Sequence, residues 1–498
     1  MNEAFPETIP ELLAWRVARA SRGPWLFFEG DSWTLADVEG KAESFAVGLA
    51  ERGVGRGDRV AFLLGNRPEA LFAWFGANRL GAIAVPLNPA LKAPELTALL
   101  RLTRPRVLVV DEHRALAEAA CLALDDAARP LRVGAAALGA AGRGAPTVDV
   151  GRDDVAVLIA TSGTTGAPKA VMQTHGTYTL TAEAFPAWLG LSADDRLLAA
   201  LPLFHINAQA YSTMGALGAG ASLALLGKFS ASRFWADARR LGATQVNVVG
   251  AMVHILLAGA ACADEREHAL RICYAALALP EAQHRAFEER FGLRMTVGYG
   301  MSETTFGTVW PRDEAPRYGT MGRLRQHPRL GDINRARVIR DDGTDAPDGE
   351  PGELWLANPA TMRGYWDDPL QTAVALARGW LHTGDIVRRD RDDVFTFVSR
   401  KKDMIRRRGE NIAAAEIENV LLAHPAVGEA AAVGVPSPLG EDDIVAYVAP
   451  RSGATIDVEA LREWARSRLA DFKVPARILV RDALPRTATE RVAKHRLE

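Results

Sequence analysis

The sequence predicts an α/β protein. A large N-terminal domain of βα-layered sheets carries a small β-barrel subdomain, and a small α+β domain follows at the C-terminal end. Three observations carry this expectation. Over roughly the first 300 residues, apolar runs without polar alternation are separated by helical stretches of about 10 to 18 residues, the pattern of βαβ units and parallel sheets. From about residue 310 the texture turns to short strands broken by Asp-Gly and Pro-Gly, as in "RARVIRDDGTDAPDGEPGELWLANPATMRGYW". Near Arg400 it changes again, where "SRKKDMIRRRGEN" packs six cations into nine residues. A chain of 498 residues also exceeds what one hydrophobic core serves.

The elements follow in order. "TLADVEGKAESFAVGLAERGV" opens with Thr34 and Asp37 in capping-box spacing and sets Leu35, Val38, Phe45 and Leu49 roughly on one helical face. "DRVAFLLGN" reads as a buried strand, "RPEALFAWFGANRLG" as a helix ending at Gly81, and "AIAVPLN" and "RVLVVDE" as two more strands. Beyond the basic cluster come a helix ("AAEIENVLLAH"), strands ("EAAAVGV", "IVAYVAP"), a helix ("DVEALREWARSRLA") and a last strand. No internal repeat or low-complexity linker interrupts them.

Composition narrows the function classes. A hydrophobic share of 48% and a charged share of 24% are ordinary for a globular protein. The formal charge of −2 gives no footprint for nucleic acid or an anionic membrane. Cys121, Cys262 and Cys273 lie in apolar surroundings without metal spacing, which fits a reducing, cytoplasmic compartment. The acidic, proline-broken start "MNEAFPETIPELL" does not read as a signal peptide. The run Met214 to Gly227 is 14 residues, short of the ~20 that span a bilayer.

One stretch is too polar for its place. Val155 to Ala160 read as a buried strand, and "TSGTTGAPK" (161–169) follows with no period at all. Backbone N–H groups and hydroxyls after a strand suit a phosphate, with Lys169 as counter-charge, although the spacing is not that of a Walker A loop. This stretch resembles the phosphate-binding loop of the adenylate-forming superfamily, which contains acyl- and aryl-CoA synthetases, peptide-synthetase adenylation domains and luciferases. "YGMSET" (299–304), "GWLHTGD" (379–385), "SRKKDMIRRRGENI" (399–412) and "DFKVPARI" (471–478) resemble its other motifs, in the family's order. The resemblance covers essentially the whole chain.

It implies an N-terminal adenylation domain, residues 1–398, and a mobile C-terminal domain, residues 399–498. The substrates and cofactors it implies are ATP, Mg²⁺, coenzyme A and a carboxylic acid. Adenine would lie against Tyr299, and Asp385 and Arg400 would hold the ribose, an acceptor and a donor suited to a diol. Thr161, Ser162, Gly163, Thr164, Thr165, Gly166 and Lys169 would cradle the phosphates. Ser302 would meet the α-phosphate, and Glu303 would ligate Mg²⁺, a hard cation preferring oxygen. The acid's carboxylate would then displace pyrophosphate. For thiolation the C-terminal domain would turn about Lys402 and bring Gly409 to the pantetheine tunnel.

Two departures stand out. The family's late Pro-Arg-Thr-x-x-Gly-Lys reads here "PRTATERVAKH", with Glu490 for glycine and Arg491 for lysine, and Lys494 three residues on. Arginine's planar fork does not replace a lysine point charge. Three readings stand open: Arg491 acts with altered geometry, Lys494 reaches in, or else adenylation is weak or the activated oxyacid is unusual. "YAALALP" (274–280) replaces a glycine-rich turn beside adenine, and with "LPLFHINAQ" and "VNVVGAM" it resembles the crotonobetaine/carnitine-CoA ligase-like branch.

The acid pocket is expected from Phe204, His205, Asn207, Ala208, Val249, Gly250, Ala251, Met252, Tyr299, Gly300 and Met301. His205 either gates it or is a core histidine. A mostly small, apolar lining favours a monocarboxylic acyl or aryl acid. The expected function is therefore an AMP-forming acid–CoA ligase, working as a monomer or homodimer. Its rivals keep adenylation but use a carrier protein or amine, activate nitrite, or bind nucleotide without catalysis.

Overall fold

The computed structural model describes residues 4–20, 23–162, 168–262, 264–276, 279–407, 410–436, 442–469, 471–487 and 492–497. The chain packs as two compact units. The first comprises residues 1–336, 356–381 and 393–395, the second residues 337–355, 382–392 and 396–498.

Two large sheets organise the first unit. One has seven strands in the order Gly364–Tyr365, Pro168–Thr174, Val155–Ser162, Ile83–Pro86, Arg59–Leu63, Val107–Val110 and Leu131–Val133. Its five later members in that order pair parallel, as their unbroken apolar runs predict. The other has nine strands, and six of them run parallel in the order Met295–Met301, Ile272–Ala276, Gln245–Val249, Arg196–Ala199, Ser222–Leu225 and Pro24–Phe28.

A single hydrophobic core draws on both sheets and on the helices Ile9–Val17, Leu35–Ala50, Pro68–Arg79 and His175–Leu189. The last of these is buried on nearly every side, which its apolar and threonine-rich sequence permits. The capping box at Thr34 forms: the Asp37 carboxylate accepts from the Thr34 N–H at 2.9 Å, and the Thr34 hydroxyl accepts from the Asp37 N–H at 3.1 Å. Leu35, Val38, Phe45 and Leu49 are all buried, so the predicted face is the observed one.

The expected small β subdomain is a five-stranded sheet of Arg335–Ile339, Pro351–Ala357, Leu376–Ala377, Trp380–Arg389 and Phe395–Arg400. The α+β part follows as predicted. Val427–Pro436 pairs antiparallel with Asp442–Pro450, which pairs parallel with Arg477–Val480. Period-two alternation gives the middle strand two buried faces. Ile444, Ala446 and Val448 pack with Ile417, Leu421 and Leu461 of the helices, and Val445, Tyr447 and Ala449 pack with Leu484 and Leu497.

One sequence expectation is corrected. Cys121 and Cys273 are buried, but Cys262 is exposed, its thiol 3.8 Å from the Glu265 carboxylate. Among the described residues, no helix is long and apolar enough to cross a membrane.

Candidate active site

The stretch from 155 to 174 is a hairpin. Strand Val155–Ser162 pairs antiparallel with Pro168–Thr174, setting Thr161 opposite Lys169 and Ser162 opposite Pro168. The tip is the expected phosphate loop: Gly163, Thr164, Thr165 and Gly166 lie outside the described residues, as does the side chain of Ser162. Lys169 stands at its base. Its ammonium donates to Gln371 Oε1 at 2.8 Å and lies 4.8 Å from the centre of the Tyr365 ring.

A second hairpin meets this one. Strand Met295–Met301 turns through Ser302 and Glu303 into Thr304–Val309. The turn is tied from both sides. The buried Gln173, on the first hairpin, donates its amide to the Ser302 carbonyl, and the Met362 N–H donates to the Glu303 carbonyl at 2.7 Å. The Tyr365 hydroxyl donates to Glu303 Oε1 at 3.0 Å. Burial and the neighbouring carboxylate push this phenol well above its usual range, so it stays a donor. Thr161, Lys169, Ser302 and Glu303 are thus brought to one place by two strand turns. Tyr365 and Gln371, which link them, were not expected from the sequence.

The remaining residues expected from the first unit gather at the carboxyl ends of neighbouring parallel strands, where open α/β sheets bind ligands. Strand Gln245–Val249 ends at Val249 and runs into helix Gly250–Ala258, which carries the buried Met252. Tyr299, Gly300 and Met301 close strand Met295–Met301. Tyr299 is buried, and its hydroxyl lies 3.6 Å from Met301 Sδ. Two tyrosines crowd this strand: a Cβ at Gly298 would lie 2.5 Å from the Tyr274 hydroxyl, and one at Gly300 2.5 Å from that of Tyr211. The Tyr211 hydroxyl donates to the Thr305 carbonyl at 2.8 Å. Tyr274 is the first residue of the unusual "YAALALP", whose Leu277 and Ala278 lie outside the described residues.

Strand Arg196–Ala199 leads into the segment with Phe204 and His205, and both amide side chains nearby are engaged in fixing it. Asn66 donates to the Leu201 carbonyl at 2.9 Å and accepts from the Leu203 N–H at 2.7 Å. Gln209 donates to the Leu203 carbonyl at 2.6 Å. His205 is half-buried, its ring centre 4.4 Å from that of Phe204. Asn207 then opens a π-helix, Asn207–Thr213, a rare form frequent at functional sites.

Asp385 and Arg400 belong to the second unit. Asp385 is fully buried on strand Trp380–Arg389, and Arg400 Nε lies 2.8 Å from its Oδ1. Glu353 binds the two flanks of this pair, accepting from the Gly384 N–H at 3.1 Å and from the Lys401 ammonium at 2.9 Å. Lys402 sits in a short 3₁₀ turn, Lys401–Asp403, with its side chain outside the described residues, and Gly409 and Arg491 lie outside them altogether. Lys494 is described: its ammonium is 2.7 Å from Glu418 and 3.8 Å from Asp403. Two carboxylates of its own unit therefore hold it.

For a divalent cation the donor set fits. Among the described residues no three metal-type side chains cluster. A single carboxylate, Glu303, held by the Tyr365 hydroxyl suits Mg²⁺, which takes one or two carboxylates and completes its shell with phosphate oxygens and water.

Comparison with known proteins finds relatives along most of the chain. The model of the AMP-binding enzyme family matches residues 13–366, and that of the AMP-binding enzyme C-terminal domain matches residues 416–491. The chain is 33% identical to crotonobetaine/carnitine–CoA ligase of Escherichia coli over 468 residues, 90% of this chain and 89% of that one. Its fold matches ATP-bound MatB from Rhodopseudomonas palustris with a TM-score of 0.87 at 27% identity, over 98% of both chains. It matches o-succinylbenzoate CoA synthetase from Bacillus subtilis, in complex with an acyl-adenylate intermediate, with a TM-score of 0.86 at 27% identity, again over 98% of both. The Bacillus enzyme is also known in complex with ATP and magnesium, and that structure matches at a TM-score of 0.85 and 27% identity over 98% of this chain and 99% of that one.

Proposed function

This chain belongs to the AMP-binding enzyme family, and from that membership we propose that it is an ATP- and Mg²⁺-dependent acid–CoA ligase. It activates a monocarboxylic acyl or aryl acid as an acyl-adenylate, releasing pyrophosphate, and then transfers the acyl group to the thiol of coenzyme A. The observation that supports the reading is the Lys169–Tyr365–Glu303 constellation, in which one phenol ring joins a cation to a carboxylate.

The residues divide the work. Thr161, Ser162, the loop 163–166 and Lys169 hold the β- and γ-phosphates. Asp385 and Arg400, already paired, offer the ribose a fixed acceptor and donor. Tyr299 lies against adenine, and Ser302 contacts the α-phosphate. Glu303 would hold Mg²⁺, which when bound neutralises phosphate charge. The acid's carboxylate enters from the strand ends lined by Phe204, His205, Val249, Gly250, Met252, Gly300 and Met301. The acceleration comes from positioning and charge neutralisation, as in other phosphoryl transfers.

A further cation must steady the attacking carboxylate. Lys494 is held by Glu418 and Asp403, so we assign this task to Arg491. Thiolation uses a rotation of residues 399–498 about Lys402, which brings Gly409 to the thiol's path. The enzyme acts in the cytoplasm, as a monomer or homodimer.

The test is pyrophosphate release over a panel of alkyl, aryl and amino-substituted acids plus nitrite, with and without CoA. Release that needs an organic acid, with AMP formation raised by CoA, supports the ligase. Indifference to CoA moves the second step to a carrier protein or an amine. Turnover with nitrite alone overturns the acid assignment, and ATP binding without pyrophosphate from any acid overturns catalysis.

A further inference from the structure

The strand Gln245–Val249 is apolar except for two amides. Gln245 and Asn247 lie two residues apart and so share one face, and both are fully buried. Burying an amide costs free energy unless its hydrogen bonds are made, so a pair of them inside a parallel sheet needs a use.

The bonds show what that use is. Gln245 Nε2 donates to Asn247 Oδ1 at 2.6 Å. Asn247 Nδ2 donates twice, to Asn207 Oδ1 at 3.0 Å and to Ser212 Oγ at 3.1 Å. Asn247 thereby uses its oxygen and both its N–H groups, while Gln245 Oε1 is buried without a hydrogen-bond partner among the described residues. At Asn207 the oxygen is taken up by Asn247, and the edge it keeps is its Nδ2 donor. Among the described residues Asn207 Nδ2 has no hydrogen-bond partner, and it is not one of the sealed-off buried polar atoms. Asn207 itself is 9% exposed and stands at the first turn of the π-helix, by the carboxyl end of the 245–249 strand. Gln209, two residues on, has both ends of its amide engaged by Tyr178 and Leu203, so an unused donor is not the rule for this segment.

We infer that Asn207, oriented by Asn247 and Gln245, presents an N–H donor to the acid's tail, and that the preferred substrate carries an oxygen acceptor (keto, alkoxy or hydroxyl) on an otherwise apolar skeleton. This rests on the acid-pocket reading above and goes beyond it in naming a substrate class. A site built around a donor discriminates against the analogue lacking its partner, because that donor is then left desolvated and unpaired. The relay is also directional. It displays a donor and withholds an acceptor, so a keto acid and its hydroxy analogue are both accepted, whereas an ammonium at the same place finds no partner.

The test uses the full-length protein and matched pairs of acids: pentanoate with 4-oxopentanoate and 4-hydroxypentanoate, and 3- and 4-methylbenzoate with the hydroxy- and methoxybenzoates. The readout is kcat/KM for pyrophosphate release. The wild type is expected to favour the oxygenated member of at least one pair about tenfold or more. Asn207→Asp keeps the bond from Asn247 but turns the exposed edge into an acceptor. It should bring the keto-to-hydrocarbon ratio below one in that same pair. Asn207→Leu should flatten the ratio to within about twofold. Thermal unfolding of both variants is followed alongside, and a partial loss of folded enzyme scales both members of a pair alike, leaving their ratio unchanged. Turnover with no preference in any pair, or a preference that survives Asn207→Asp, overturns this inference alone. No pyrophosphate from any acid overturns the ligase reading and this inference with it.

Discussion

The phenol of Tyr365 donates its hydrogen bond to the Glu303 carboxylate at 3.0 Å, across 62 residues of sequence. That single bond orients the one carboxylate assigned to the metal, and the ring beneath it also meets the Lys169 ammonium. Tyr365→Phe removes the hydroxyl and keeps the ring. Groups that orient a metal ligand are worth ~10 to 100-fold in metal affinity when removed. The Mg²⁺ concentration for half-maximal pyrophosphate release should therefore rise by about that factor, with little change in Tm. An unchanged Mg²⁺ titration would count against Glu303 as the metal's ligand. Glu303→Gln should abolish adenylation.

The buried Asp385 depends on Arg400 for its countercharge. Arg400→Ala should lower stability by about 2 kcal/mol, below the full cost of orphaning a buried ion because Arg400 is itself partly exposed. The KM for ATP should rise together with the loss. Arg400→Lys restores charge without the fork and should recover stability better than KM. If KM for ATP stays at the wild-type value in both variants, the pair is structural only.

The two late cations should separate cleanly. Lys494→Ala leaves Glu418 and Asp403 without their cation and should lower Tm while the adenylation rate per folded molecule holds. Arg491→Ala should do the reverse, costing ~100-fold in adenylation, the order expected when a positioned catalytic charge is lost. The opposite pattern would return the task to Lys494.

His175 gives the fold a pH dependence. Its Nδ1 accepts the Ile9 N–H at 3.3 Å, and burial lowers its pKa from 6.5 to about 4, against the pull of the nearby Asp154. The unfolded chain takes up a proton that the folded chain refuses. The stabilisation is therefore complete above pH 6.5 and is lost as pH falls towards 4, up to about 3 kcal/mol. His175→Gln keeps an acceptor for Ile9 and removes the titration. Urea unfolding between pH 7 and 4 should show the wild type losing more stability than this variant. Parallel curves would refute the assignment.

What the sequence made legible was what is local. The Thr34–Asp37 cap, the parallel strands and the ordered motifs each depend on residues within a few positions of one another. The linking residues were hidden for the opposite reason. Gln371 meets Lys169 across 202 residues and Asn66 reaches Leu203 across 137, and nothing in "DDPLQ" or "LLGN" carries a period or spacing that announces it. Asn247 stands in "VNVVGAM", which the sequence offered only as a resemblance; its role lies in hydrogen bonds to Gln245, Asn207 and Ser212. Cys262 shows the converse limit, since its alanine neighbours in sequence make it look buried and here it is exposed.

The two glycines of strand Met295–Met301 carry a lesson for anyone wishing to re-tailor this protein. Gly298 and Gly300 are fixed by the hydroxyls of Tyr274 and Tyr211, so a narrower cavity cannot be made by adding a methyl group at position 300 alone. Laboratory evolution that begins at position 300 would find that route closed. It opens in a definite order, with Tyr211 shedding its hydroxyl first and Gly300→Ala following into the vacated space.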